Sequence, residues 1–306
     1  MSKKRVRKNL KKDTYLIKKY ILVIVLILLL IVIIECFVNI FGGSFKEILT
    51  CGDGTIYDKC SLNKPYFCSD GKLVERASVC GCPEVLTENE DFCISEYQVN
   101  PKYITLEYTL GGQEDGINYI TYDGFYDYIS KLSRFISYEE GEKPSRRDFK
   151  LKVINDEEQR EMLMPLVVGI QNRAESRRDQ AKIAASIVQD IPYKPSLDNV
   201  SVWKQALSSR YPYEVIYETQ GVCGEKSDLL AFLLKELNYG VAIFYFSEEN
   251  HEAVGIKCPF FKDFRNTGYC FIETTENYKI GNYKFLETFN VTSTPEIILI
   301  SDGESF

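Results

Sequence analysis

The residues of this chain whose types and spacing suit chemistry are Cys223, His251 and Glu273. Cys223 lies in Gln220-Gly221-Val222-Cys223-Gly224-Glu225-Lys226-Ser227, with a glycine close on each side. The run continues as Asp228-Leu229-Leu230-Ala231-Phe232-Leu233-Leu234-Lys235, and leucines at 229, 230, 233, 234 and 237 recur at helical spacing. Gly240 stands where a helix C′ glycine belongs. Cys223 is therefore expected at the N-terminus of a buried helix, where aligned peptide dipoles and free N–H groups favour thiolate over thiol. A thiolate nucleophile needs a base or cation beside it, and that base needs an orienting carboxylate. His251 is the only histidine in the chain, so the base of a catalytic site must be His251. The competing reading makes Cys223 a small buried hydrophobe and His251 an ordinary surface or capping residue.

Three strands are expected after the cysteine helix, at 241–247, 251–258 and 268–275. If the last two pair as an antiparallel hairpin, His251 and Glu273 lie near opposition, with Cys258 and Cys270 close together nearer the turn. His251 to Cys258 is seven residues and Cys270 to Glu273 is three. Both separations are odd, so both cysteines face away from the His–Glu surface. The expectation is a Cys258–Cys270 disulfide on the back of the hairpin and the catalytic pair on its front, against the Cys223 helix.

At these residues the sequence resembles the transglutaminase-like superfamily of thiol enzymes. The matching pieces are Gly221-Val222-Cys223 opening a helix, His251 opening a strand, and the acidic Glu273 before Thr274 at the end of the next strand. Tyr211-Pro212-Tyr213-Glu214 and the Glu273-Thr274-Thr275 ending resemble archaeal and bacterial members. The resemblance spans residues 160–285 by the order of its elements. It implies a Cys–His–acid triad, with Glu273 where the family most often has Asp, and offers Trp203 as an oxyanion donor, against a plain core aromatic.

Other elements must position these groups. Helices are expected over 156–174, with Pro165 as a candidate kink, and over 177–191, with a core stripe at Ile183, Ile187 and Ile191. Residues 194–219 read as irregular and aromatic, and short strands are expected at 283–289 and 295–301. Upstream, alternation from Tyr103 to Tyr128 reads as a β-hairpin with a Gly111-Gly112 turn, and 139–148 as a solvated charged loop marking a domain boundary. Glu225, Lys226 and Asp228 read as first-turn charges around the helix dipole, Lys226 being a lesser candidate behind the site.

Cys51, Cys60, Cys68, Cys80, Cys82 and Cys93 fall in a stretch rich in Gly, Asp, Asn and Pro. An even set of this kind in a small extracellular module reads as a disulfide framework, with 15 possible pairings. Zinc suits it poorly, because Cys80-Gly81-Cys82 is the only close pair and no histidine is near. The stretch resembles a cysteine-rich module of membrane-anchored archaeal proteins. Of the nine cysteines outside the expected membrane segment, six would pair there and two across the hairpin, which leaves Cys223 free. A redox role for Cys80 and Cys82 is a lesser reading.

The chain has 306 residues, 45% of them hydrophobic and 13% aromatic, enough for one good-sized core and smaller modules. Residues 1–20 carry nine Lys/Arg and one acid, so the remainder has a net charge of −15 within a total of −7. An acidic body repels phosphate backbones and argues against nucleic acid as a partner. Ile21 to Ile34 contains no polar residue, and 21–41 is long enough to cross a bilayer. The basic excess before it predicts a cytoplasmic N-terminus and an extracellular remainder, with a cleaved signal peptide as the rival.

The combined expectation is an α+β protein with five segments. They are a cytoplasmic basic tail (1–20), a transmembrane signal anchor (21–41), a cysteine-rich module (45–98), a β-rich linker (99–150) and a papain-like, transglutaminase-like domain (151–306). In that domain, N-terminal helices pack on an antiparallel sheet. The expected function is thiol chemistry on peptide or protein amide bonds at the cell surface, as peptidase, amidase or acyl transferase, with no cofactor or metal. The alternative is a catalytically inactive binding module in envelope assembly. Asn199 and Asn290 match the glycosylation acceptor pattern, which is common by chance.

Overall fold

Six cysteines close the first folded stretch of the chain into three loops: Cys51–Cys68, Cys60–Cys80 and Cys82–Cys93. The computed structural model describes residues 24–33, 49–139, 141–194 and 209–306. The cysteine-rich stretch contains only short elements, β1 (Tyr66–Ser69), β2 (Lys72–Glu75), α1 (Ala77–Cys80), β3 (Thr87–Asn89) and β4 (Phe92–Ile94). They pair as two small antiparallel ribbons. Two-stranded ribbons are marginal alone in water, so the cross-links carry much of the order here.

The expected hairpin follows as β5 (Pro101–Leu110) and β6 (Gln113–Tyr122), paired in register from Leu110–Gln113 down to Pro101–Tyr122. Its two-residue turn is Gly111-Gly112, at φ +61° and +85°, the left-handed conformation that such turns require. The strand ends sooner than alternation suggested, because Asp123–Ser130 is a helix, α2. The hairpin packs on the helices that follow: Ser186 accepts from the Thr109 amide, and the Tyr119 hydroxyl donates to the Met162 carbonyl.

Within the segment read as a charged loop, α3 (Arg146–Ile154) begins. Ser145 and Asp148 cap it reciprocally. Next come α4 (Glu157–Gln171), capped by Asp156, and α5 (Arg177–Asp190), both close to their expected bounds. Tyr211-Pro212-Tyr213-Glu214 is a helix start rather than irregular chain: Pro212 is the first residue of α6 (Pro212–Glu218), and Glu214 accepts from the Tyr211 amide. The cysteine helix is α7 (Cys223–Glu236). Asn238 at φ +63°, not Gly240, takes the left-handed position after it.

The sheet is four-stranded and antiparallel, in the order β10-β7-β8-β9, from β7 (Val241–Phe246), β8 (His251–Lys257), β9 (Tyr269–Ile272) and β10 (Glu296–Ser301). The strand expected at 283–289 is instead a helix, α8 (Lys284–Thr288). Leu229, Leu230, Leu233 and Leu234 of α7 are fully buried and share one core with Val241, Ile243, Val254, Ile256 and Ile272. Burying such a side chain is worth roughly 1.5–3 kcal/mol, more than the helix propensity term of any residue in α7, so packing fixes α7 in place. The opposite face carries a second core of Phe244, Phe246, Ala253, Phe264, Phe271 and Phe285.

Residues 49–306 form one compact unit of α+β architecture. The transmembrane part of the expected fold is corrected. Among the described residues no helix is long and apolar enough to cross a membrane. In the stretch 21–41 the described residues are 24–33, and they are helical. The rest of that stretch, like the basic tail at 1–20, lies outside the described residues.

Candidate active site

Glu225, in the first turn of α7, fixes how the helix begins. Its Oε2 accepts the Val222 amide at 3.0 Å, and Arg210 grips the same carboxylate through its amide and its Nη1, each at 2.9 Å. Gly221 is laced to the segment before it, donating to the Pro192 carbonyl and accepting from the Lys194 amide, both at 3.1 Å. Cys223 thereby becomes the first residue of the helix, whose amide has no partner inside the helix and is free to stabilise an anion. Among the described residues it is the one free cysteine, and it is half-buried.

Asn250, at φ +50°, turns the chain into β8, which starts with His251 opposite Phe246. The imidazole lies among rings, with centroids 6.1 Å from Phe246 and 5.1 Å from Phe285. Its Nε2 is 3.0 Å from Glu273 Oε2, and the ring lies near enough to Cys223 for the two groups to interact electrostatically. Burial alone would lower the His251 pKa. The hydrogen bonds to Cys223 and Glu273, with their charges, overcome that and push it up to about 10. A histidine held protonated in this way is the cation a thiolate pairs with.

Glu273 is fully buried, and its carboxylate is cradled by the two residues that follow it. Oε1 accepts from the Thr274 amide at 3.0 Å, the Thr275 amide at 2.9 Å and the Thr275 hydroxyl at 2.7 Å, which leaves Oε2 for His251. The Glu-Thr-Thr sequence is thus a local device for holding a charged carboxylate in one orientation. Thr274 also meets Ser227 of α7 at 3.3 Å, and the Gln189 amide donates to the Glu273 carbonyl at 2.8 Å.

The cysteine pairing across the hairpin is as spacing suggested: Cys258 and Cys270 form a disulfide, with Ile256 opposite Cys270 in the register. Both cysteines face away from the His–Glu surface, but the roles of the two faces are exchanged. Cys258 and Cys270 belong to the core under the body of α7, while His251 stacks on Phe246 and Phe285 of the other core. Cys223 meets His251 because both sit at ends, the helix at its first residue and the strand at its first residue. The four disulfides together fit an extracellular or secreted protein. Trp203 lies outside the described residues.

The charges after Cys223 are buried rather than solvated, Glu225 and Asp228 in ion pairs and Lys226 on backbone carbonyls. Glu225, Lys226, Ser227 and Asp228 are each 3% exposed or less. Lys226 donates to the Ile191 carbonyl at 2.5 Å and the Gln189 carbonyl at 3.4 Å. Burial drives its pKa down to about 8 against the pull of Glu273, Glu276 and Asp190. Asp228 faces Lys150 of α3, which also reaches Glu252, the residue after His251. Tyr193 lies near the sulfur: burial, then the charges of Cys223 and Glu225, raise its pKa. Sequence reasoning missed Lys150, Arg210 and Tyr193. The one available signal was four consecutive polar residues entering an otherwise apolar helix. Among the described residues no group of three or more His, Cys, Asp or Glu is arranged to hold a metal ion.

Compared with known proteins, the chain matches no family model, no curated protein and no solved structure.

Proposed function

We propose that residues 151–306 are a transglutaminase-like thiol enzyme domain acting on peptide or protein amide bonds outside the cell. The observation that carries the reading is His251 bonded to the cradled Glu273 and close enough to Cys223, the first residue of α7, to interact with it electrostatically. Sulfur attacks the amide carbonyl, and the oxyanion that forms is met by the Cys223 amide. His251 passes its proton to the leaving nitrogen as the C–N bond breaks, giving a thioester and a free amine. Neutral His251 then takes a proton from water, the resulting hydroxide attacks the thioester, and carboxylic acid leaves with the sulfur returned as thiolate. An amine in place of water makes the same step a transamidation. Glu273 keeps the ring oriented throughout and favours its protonated form.

The test is alkylation of the 49–306 unit, purified from an oxidising compartment, with dilute iodoacetamide across pH. Modification confined to Cys223 and slowed at pH 7 by about 10²-fold or more in His251→Ala supports the reading. Equal rates with and without His251 would leave a binding module that keeps the fold without the chemistry. If turnover of a peptide amide follows, acylation should fall as pH rises through about 10, where His251 loses the proton that the leaving amine needs.

A further inference from the structure

Among the described residues, Lys150 is the one side chain that ion-pairs both with the helix of the cysteine and with the strand of the histidine. Its Nζ is 2.6 Å from Glu252 Oε2 and 2.9 Å from Asp228 Oδ1. The three side chains are 13% exposed or less. Their place in the chain is telling: Glu252 follows His251 on β8, and Asp228 lies five residues after Cys223 on α7. Gly224 explains how close these bodies come. A Cβ there would stand 3.1 Å from Glu252 Oε2, so the carboxylate packs directly against the first turn of the helix.

We propose that Lys150 is a positioning residue for the Cys223–His251 pair, clamping α7 to β8 through Asp228 and Glu252. The catalytic meaning of this clamp rests on the thiol-enzyme reading above, but its geometry does not. Remove the ammonium and two carboxylates face each other in a buried place, with Glu225 a further negative charge near Asp228. Burial already raises the Asp228 pKa to about 7, so below that pH the carboxyl can take a proton. Above it, where His251 titrates, the buried charges stay uncompensated and the fold is relieved by separation of helix from strand. A displacement of about 1 Å between reacting groups is enough to cost about 10²-fold in rate.

Because His251 is the only histidine, its ring protons report the site by NMR with no substrate and no ambiguity of assignment. The wild-type midpoint is expected near 10. Lys150→Met should lower it by at least about one pH unit and slow Cys223 alkylation by about tenfold or more, while Lys150→Arg restores both. Arg160→Met is the control. It cuts the pair to Glu236, 2.9 Å long, near the other end of α7, and should leave both readouts unchanged while lowering stability. If Lys150→Met does not fold, Glu252→Gln removes one carboxylate charge but keeps an acceptor, and should shift the midpoint in the same direction by less. An elevated wild-type midpoint that neither Lys150→Met nor Glu252→Gln moves overturns the clamp alone, as does an equal shift in Arg160→Met. An ordinary wild-type midpoint, with Cys223 slow, overturns the reading of the site itself. A midpoint that is high and shifts on substitution, in a protein that turns over no amide, keeps the clamp and removes the enzyme.

Discussion

Between Cys51 and Cys93 the apolar residues that are buried are Cys51, Pro65, Tyr66, Cys68, Leu73 and Ala77, and three disulfides cross the segment. Between Tyr211 and Ile272 whole runs are buried, such as Leu229 to Leu234 and Val241 to Phe244, and one disulfide suffices. The contrast follows from surface and volume: a short segment cannot bury enough apolar area to offset its chain entropy, so covalent links restrict the unfolded state instead. The longer segment has burial to spare, and it carries what the module could not, a set of buried charges at the start of α7. The two regions nonetheless share a core, since Tyr66, Cys68 and Leu73 pack with the helices.

The largest effect should come from the apolar side of this contrast. Leu230→Ala, at a fully buried position in the body of α7, should cost about 3–5 kcal/mol in a urea unfolding curve. A loss under about 1 kcal/mol would mean that α7 is held by something other than packing. Next comes the covalent side. Replacing both Cys51 and Cys68 by Ser opens a loop of sequence separation 17 and should cost roughly 3 kcal/mol, with the alkylation rate of Cys223 unchanged. A slower Cys223 in that variant would break the contrast, since the module would then be tuning the site. Gly224→Ala sets a methyl 3.1 Å from the Glu252 carboxylate that Lys150 holds, and should slow alkylation. Its net cost should be about 1–2 kcal/mol once the helix preference of Ala is offset against the crowding. The smallest is Ser145→Ala, which removes the cap of α3 and should cost about 1 kcal/mol by thermal melting.

What could be read from the sequence divides along the same line. Long periodic segments were legible: α4, α5 and α7 lie close to their expected bounds, and strands appear near 241, 251, 269 and 296. The odd spacings of His251, Cys258, Cys270 and Glu273 announced which residues share a face, because alternation is a local rule. Which face the helix covers is not local, and there the expectation was reversed. Short elements were also missed. Phe285, Leu286 and Phe289 suit a helical turn as well as a strand, and α8 settles it by packing Phe285 on His251. For α3 and α6 the signals were present, a Ser145/Asp148 capping pair and a Pro212/Glu214 start, but charged and aromatic composition masked them. The burial of Asp228 and Glu225 depends on Lys150 and Arg210, partners that only the fold brings near.

The length of β8 has a consequence for the lifetime of the site. Thiol–disulfide exchange requires sulfur to reach sulfur, and a reactive thiolate beside a cystine would scramble it. His251, which holds the free thiol, is the first residue of β8, and Cys258 comes just after its last. Seven residues at about 3.3 Å each put roughly 23 Å of strand between them. On the thiol-enzyme reading proposed above, the strand acts as a spacer, letting one hairpin carry the histidine beside the free thiol at one end and a cross-link at the other.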